Sequence, residues 1–417
     1  MKIIHKQVTL QSTSRLDRIV THRVWGVPIF LFLMFLVFEA TFSLGAYPMG
    51  WIESGVDMLS TYLQGVMPHG VLKDLLVDGV VGGVGGVIVF LPNILILYLL
   101  ISIMEDSGYM SRASFVMDKV MHRIGLHGRS FIPLVMGFGC NVPAIMATSS
   151  IESRSSRLIT IFINPFMSCS ARLTVYILLV GTFFPHHGSL VFFALYLLGI
   201  LLAVLTSLAL RRFLFRGRRQ SHQFHLKPYQ MPSLRSSLSL MWDKAWQYLK
   251  KMGGLILVAS IVVWFLSYYP RADHMSVSEQ QENSYMGQIG KFCEPVMAPL
   301  GFQWRANVSL ISGVAAKELI VSTLGVLYSE SDARESGLTL PQKLASINPQ
   351  TSRPDFTSLS ALSFMVFVLI YFPCIASLTA IARESGSWRW AAASMLYSTI
   401  LAWVLAFIVY QVGGLFC

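Results

Sequence analysis

Gly137-Phe138-Gly139-Cys140-Asn141-Val142-Pro143-Ala144 sets a thiol and an amide inside an otherwise apolar run. Gly137, Gly139 and Pro143 each cost helix stability, and the proline also removes a backbone donor, so peptide carbonyls here lose their helical partners. In a bilayer such carbonyls and half-helix ends coordinate cations, and a thiolate beside them favours a soft or borderline transition metal. The same residues also fit a kink at a tight helix crossing, with Cys140 as a small hydrophobe. Asn164-Pro165-Phe166-Met167-Ser168-Cys169-Ser170-Ala171-Arg172 repeats the chemistry further along. A charge at Arg172 costs on the order of 2.5 to 3.5 kcal/mol within a membrane, so it requires an acidic or carbonyl partner unless it snorkels.

Phe372-Pro373-Cys374 places a third thiol beside a proline. Glu105-Asp106 closes an apolar run with paired carboxylates, which can attract and partly dehydrate a divalent cation or pair with Arg112. Lys317-Glu318 lies in a small-residue segment. Adjacent helical positions point about 100° apart, so each residue meets a different partner, and a buried Glu318 is by default a metal or proton site. His186-His187 is a poor chelate because neighbouring side chains diverge, and the Gly82 to Gly86 cluster favours close backbone approach. The scattered methionines and aromatics read as lipid-facing or packing residues. The chain has no G-x-x-x-x-G-K-[ST] phosphate loop, no H-E-x-x-H and no G-x-S-x-G, and no nucleophile, base and orienting group pair by spacing.

The elements that must hold these residues are membrane helices. Of 417 residues, 54% are hydrophobic and 13% charged, with a mean hydropathy of +0.59. An ordinary soluble domain carries about 25% charged residues, and this composition would leave large apolar patches in water. The net charge of +11 sits in loops between apolar runs, where it orients the chain and contacts anionic lipid. No basic and aromatic patch points to nucleic acid. Five cysteines make no disulfide framework, and the polar first 24 residues resemble no removable signal peptide.

A membrane helix needs about 20 apolar residues. Seven runs meet this: Trp25 to Tyr47, Val84 to Met104, Leu158 to Phe184, Leu190 to Leu210, Leu255 to Tyr269, Leu359 to Ile381 and Trp390 to Val412. Phe131 to Thr148 and Val308 to Tyr328 are interrupted by Gly, Pro and polar residues and read as short, broken or re-entrant. Ten Lys or Arg against one acid mark Arg211 to Lys251, including Arg216, Arg218 and Arg219, as a cytoplasmic loop. The tail with Lys2, Lys6, Arg15, Arg18 and Arg23 is cytoplasmic by the same bias. Charge counting then favours seven crossings with two re-entrant segments entering from opposite faces, the pattern of an inverted repeat. Met49 to Pro68 is expected on the outer surface, Ser111 to Gly125 on the inner one, and Ser329 to Arg353 as a polar loop.

These motifs, in this order, resemble the membrane domain of the prokaryotic ferrous iron transport protein B (FeoB) family. The resemblance runs from Asp17-Arg18-Ile19-Val20-Thr21-His22-Arg23 through Glu105-Asp106-Ser107-Gly108-Tyr109-Met110 and the two Asn-Pro-Cys regions. It continues to Ala316-Lys317-Glu318, Tyr371-Phe372-Pro373-Cys374, Glu384-Ser385-Gly386-Ser387-Trp388 and Phe407-Ile408-Val409-Tyr410-Gln411. Thr174, where the family pattern has Pro, and Ser149-Ser150, where it has Arg-Thr, depart from it. The resemblance implies an all-α polytopic membrane protein of about seven to nine transmembrane or re-entrant segments with two gate-type broken-helix repeats of inverted topology. It divides the chain into a tail over 1–24, a first membrane half over 25–210 with a gate segment at 131–176, the basic loop 211–251, and a second half over 252–417 with a gate segment at 308–328.

The implied function is import of ferrous iron across a prokaryotic cytoplasmic membrane, with Fe2+ as transported substrate and no tightly bound cofactor. Cys140, Cys169, Cys374, Glu105, Asp106 and Glu318 are the implied metal-handling residues. Gly137, Gly139, Asn141, Pro143, Asn164, Pro165, Ser168, Arg172, Lys317 and Pro373 shape the gates. The three thiol segments are expected to converge. Implied partners are membrane lipid, a separate G-protein chain, a small FeoA-like protein and further copies in a homo-oligomer, with no nucleic acid. A non-transporting scaffold that docks a G protein, and a carrier for Mn2+, Zn2+ or a nucleoside-like solute, are the competing readings.

Overall fold

The computed structural model describes residues 17, 20–22, 25–68, 70–89, 91–214, 229–231, 233–271, 277–329, 340–345, 347–348 and 353–415. Lys2, Lys6, Arg15, Arg18, Arg23, Arg216, Arg218, Arg219 and Cys417, which bear on the sequence reading, lie outside the described residues. The described chain is helical apart from one antiparallel pair, Ile347–Asn348 with Arg353–Pro354. Among the described residues five helical stretches are long and apolar enough to cross a membrane: Gly26–Val66, Arg154–Phe183, Gly188–Phe213, Ser358–Ser385 and Trp388–Gly413. Leu91–Asp106 and Tyr109–Arg123 meet at 84°, as one broken span or a re-entrant pair. The expected crossing at Leu255 to Tyr269 is the shorter apolar end of the helix Leu234–Tyr268.

Several boundaries differ from expectation. The expected surface helix at Met49 to Pro68 is continuous with the first span in the 41-residue helix Gly26–Val66. Pro48 removes one backbone bond inside it, and a long helix absorbs that local loss without ending. At about 1.5 Å per residue this helix is about 60 Å long, twice a hydrocarbon core of about 30 Å. The basic loop is likewise partly helical: Arg211 and Arg212 end Gly188–Phe213, and Arg235 to Lys251 lie on Leu234–Tyr268. The crossings at Leu158 to Phe184 and Leu359 to Ile381 are both interrupted, the first by the turn Asn164–Phe166 and an extended Cys169, the second between Ile370 and Ile375.

The chain forms two compact units. The first comprises Met1–Gly55, Ile88–Asn164 and Ala203–Gly253, and the second Val56–Val87, Pro165–Leu202 and Gly254–Cys417. In the first, Val37, Leu97, Ile101, Met110, Met136 and Ala144 form a buried cluster, with a second around Phe30, Met34, Tyr109 and Ala113. The buried guanidinium of Arg112 pairs with Asp17, and among the described residues no ion pair joins it to Glu105 or Asp106.

The second unit is organised around Ser358–Ser385, whose apolar window is 78% buried against 22% for Trp388–Gly413. A reciprocal cap between Thr357 and Ser360 starts this helix, satisfying amides that would otherwise be stranded. Phe302 packs edge-on against Phe364 and Phe367 at 5.4 and 5.7 Å, geometry that aromatic quadrupoles favour. Beside them Arg305 Nη1 meets Asp355 Oδ2 at 2.8 Å and the Tyr328 hydroxyl donates to the same oxygen at 2.9 Å, all three residues buried. The Gly82 to Gly86 cluster does permit close packing, since a Cβ on Gly85 would stand 2.6 Å from Val56. Gly199 is as tight, because its Cβ would meet the Phe166 carbonyl oxygen at 2.6 Å. Gly199→Ala is therefore expected to destabilise the folded chain by about 1–3 kcal/mol. Thermal unfolding in detergent measures this, and an unchanged midpoint would contradict so close an approach.

Candidate functional site

Each of the three membrane cysteines occupies the same local position. Cys140, Cys169 and Cys374 are the N-cap residues of Asn141–Ala147, Ser170–Phe183 and Ile375–Ser385, with extended backbone and no capping hydrogen bond from the side chain. The prolines and glycines before them end the preceding helical stretch, and a new helix begins one residue later. The N-terminal end of a helix thus stands behind each sulfur.

In the second unit two breaks are laced together. Between Trp304–Ser312 and Leu319–Ser329 the chain is irregular, and the Ile375 amide donates to the Val314 carbonyl at 3.0 Å. The Tyr371 hydroxyl donates to the Leu310 carbonyl at 3.2 Å. Lys317 is buried, its Nζ donating to the Phe372 carbonyl at 2.7 Å and standing 3.3 Å from the centre of the Tyr371 ring. The Lys317 Nζ therefore binds the far side of the Tyr371-Phe372-Pro373-Cys374 turn through a carbonyl and a ring face.

Arg172 solves a similar problem one helix away. Its buried Nη1 donates to the Pro165 and Met167 carbonyls at 2.7 and 3.0 Å, so the expected carbonyl partners are those its own Asn-Pro break sets free. Its Nε, the Ser168 hydroxyl and the Tyr176 hydroxyl make no hydrogen bond of good geometry, although Ser168 neighbours Tyr176. Arg172, Cys374 and Glu318 all lie within electrostatic reach of the Cys169 thiol, and Lys317 feels the same four groups. Cys374 Sγ is 3.2 Å from Ser377 Oγ. One unit thus gathers two thiols, the Glu318 carboxyl, the Lys317 amine and the Arg172 guanidinium at three helix breaks. Among the described residues, no three His, Cys, Asp or Glu side chains are grouped to hold a metal ion.

The remaining sequence-derived residues belong to the first unit. Gly137 to Cys140 separates Phe131–Met136 from Asn141–Ala147. Asn164 Nδ2 donates to the Pro133 carbonyl at 2.9 Å, and Asn141, with its amide nitrogen turned to the acceptors, reaches Gly137 O at 3.2 Å and Asn164 Oδ1 at 3.2 Å. The two asparagines thereby bond to backbone carbonyls before and within this break. Cys140 lies within electrostatic reach of Tyr98. Asp106 accepts from Ser237 at 3.2 Å, while Glu105 is exposed on the wall of a cavity. Cys169 and Cys374 thus share one unit with Glu318, and Cys140 belongs to the other with Glu105 and Asp106. At the departures from the family pattern, Thr174 stays within its helix and returns its hydroxyl to the Ala171 carbonyl at 3.0 Å. Ser149 and Ser150 line the cavity that Glu105 borders.

Tyr371 was not among the expected site residues, yet it supplies the ring under Lys317. Its place just before Phe372-Pro373-Cys374 was the available signal, since the turn that exposes a carbonyl to Lys317 also presents the neighbouring ring.

Comparison with known proteins agrees with this architecture. Residues 87–183 and 249–388 match the family profile described as "Gate: Nucleoside recognition", and residues 192–244 match "Ferrous iron transport protein B C terminus". A relative from Porphyromonas gingivalis (strain ATCC BAA-308 / W83), named "Fe(2+) transport protein A/Fe(2+) transporter FeoB fusion protein", is 54% identical over 437 residues, covering 97% of this chain and 52% of the relative. Proteins named "Fe(2+) transporter FeoB" from Campylobacter jejuni and Staphylococcus aureus (strain MW2) are each 42% identical over 97% of this chain, covering 66% and 60% of their own lengths. The chain spans about half to two thirds of the length of these curated relatives. No solved structure matches it. By two family profiles and these identities, the chain belongs to the ferrous iron transport protein B family, of which it is the membrane part.

Proposed function

We propose that this chain is the permease for ferrous iron import across the prokaryotic cytoplasmic membrane, with the N-terminus cytoplasmic. The observation that carries the reading is that Cys169 and Cys374 each begin a helix after a break in one unit, with Glu318 within electrostatic reach of the Cys169 thiol. A dehydrating cation needs replacement ligands, and thiolate, carboxylate and freed carbonyl oxygen suit a borderline metal such as Fe(II). Weak and incomplete ligation favours transit, because a transported ion must leave as readily as it enters. The buried Arg172 guanidinium opposes a divalent ion here, and each thiol that gives up its proton lowers that opposition. Metal entry is thus coupled to proton release from sulfur. In the other unit Cys140, Glu105 and Asp106 handle the same ion.

The named Fe(2+) transporters among the relatives support iron as substrate. The fusion in the Porphyromonas gingivalis relative supports a small FeoA-like partner, and a G-protein chain and homo-oligomer complete the proposed assembly. The description "Nucleoside recognition" favours a second reading, a nucleoside-like solute. Anaerobic uptake of labelled Fe(II), in cells supplied with the G-protein partner, tests both. Cys169→Ser and Cys374→Ser are each expected to lower initial uptake by about tenfold, the effect of losing roughly 1.4 kcal/mol of ion stabilisation. Undiminished uptake in both would defeat the thiol proposal, and competition by nucleosides but not by divalent metals would favour the second reading.

A further inference from the structure

Away from the thiol cluster, the first unit encloses a cavity of about 420 Å³, open at one side, whose wall carries four methionines: Met110, Met136, Met146 and Met241. Met110 and Met136 are fixed within the packed cluster of Val37, Leu97 and Ile101, whereas Met146 and Met241 are half-buried. The Tyr98 hydroxyl lies 3.8 Å from the Met146 sulfur, and Tyr98 is also the neighbour of Cys140.

Three further features separate this wall from ordinary packing. Glu105 borders the cavity with no ion-pair partner among the described residues. The one cation on the wall, Arg129, is offset by Glu152 at 2.7 Å. Ser102 and Ser114 also line the space, and their buried hydroxyl oxygens have no hydrogen-bond partner among the described residues. A carboxylate, soft thioether sulfurs and unsatisfied hydroxyls in one concavity match a desolvating cation better than an apolar ligand, which would leave the polar groups stranded.

We propose that this cavity is a second cation site, in which the sulfurs of Met136 and Met146 and the carboxylate of Glu105 hold a borderline divalent metal in transit. It deepens the ferrous-import reading and rests on it for the identity of the ion. Thioethers are neutral, so they add soft ligands without a charge that needs compensation in lipid, and they bind weakly enough to release their cargo. The sulfurs here, unlike the thiols, deliver no proton when the metal arrives.

The test is Fe(II) binding under anaerobic conditions to the whole chain in detergent, with all five cysteines, Cys140, Cys169, Cys293, Cys374 and Cys417, changed to serine so that no thiol remains. X-ray absorption of the bound iron is expected to retain a sulfur neighbour. Adding Met136→Leu with Met146→Leu, a volume-conserving exchange, is expected to remove that neighbour and weaken binding by about tenfold, equivalent to roughly 1.4 kcal/mol. Glu105→Gln, which leaves the packing alone, is expected to weaken binding to a similar degree while keeping the sulfur signal in the iron that remains bound. An iron environment without sulfur, or Fe(II) affinity unchanged by both sets of substitutions, overturns the proposal. Equal displacement by Mg2+ does so too, since a hard ion has no use for thioethers. Failure of uptake with this binding intact counts against import and leaves the site standing. Intact uptake with binding indifferent to these residues removes the site and leaves import standing.

Discussion

Asp355→Ala is expected to lower the unfolding free energy by about 3–5 kcal/mol, the cost of breaking a buried ion pair from one side. Arg305 is 8% exposed and its Nη1 is held at 2.8 Å by Asp355 Oδ2. Removing the carboxylate strands that guanidinium and also leaves the buried Tyr328 hydroxyl without its acceptor. The pair joins the start of Trp304–Ser312, the end of Leu319–Ser329 and the approach to Ser358–Ile370, so both flanks of the broken segment lose an anchor together. Exchanging both charges, as in Arg305→Met with Asp355→Leu, is expected to recover most of the loss because no charge is then left unpaired. Denaturation in detergent reads both variants. A mild effect of the single change, or a double variant worse than the single, would show that the pair does not carry this weight.

Arg172→Met is expected to cost about 2–4 kcal/mol, since a side chain of similar length but no donors leaves the Pro165 and Met167 carbonyls unpaired inside the protein. Those carbonyls belong to the turn that ends at Cys169, so the same change is expected to abolish iron uptake even at temperatures where the chain stays folded. Arg172→Lys keeps the charge but offers a compact ammonium in place of a planar fork, and is expected to recover part of the stability and little of the uptake. Uptake near the unsubstituted level in the methionine variant would separate this arginine from the thiol site.

Hydropathy located the uninterrupted lipid-facing helices closely: Leu190 to Leu210 and Trp390 to Val412 fall within Gly188–Phe213 and Trp388–Gly413. Glycine and proline likewise marked the interruptions at Phe131 to Thr148 and Val308 to Tyr328, because those residues fail locally as helix formers whatever surrounds them. Breaks at Asn164 and Tyr371 were harder to read. Their flanks are so apolar that a windowed average passes over a turn of a few residues. In both places only the local residues, Asn-Pro and Phe-Pro-Cys, carry the sign of a break.

Side-chain partnerships were legible only where the partner is close in sequence. Arg172 demanded carbonyls and finds them five and seven residues back. Lys317 and Arg305 reach partners 55 and 50 residues away, which no periodicity announces. The methionine-lined cavity was hidden for a different reason. Methionine is a common filler of apolar space, and only the side chains of Glu105, Ser102 and Ser114 on the same wall, without hydrogen-bond or ion-pair partners among the described residues, distinguish this use from packing.

The three cysteines that begin helices have a cost measurable against their nearest isostere. Serine at such a position accepts from an amide of the first turn and strengthens the helix by about 1 kcal/mol, whereas sulfur makes no such bond here. Oxygen would have made three firmer joints, each hard and inert. The chain instead leaves every one of these joints slightly loose and tipped with a polarizable lone pair, so an arriving ion would complete the joint that the protein has left unfinished, and occupancy and rigidity would rise together.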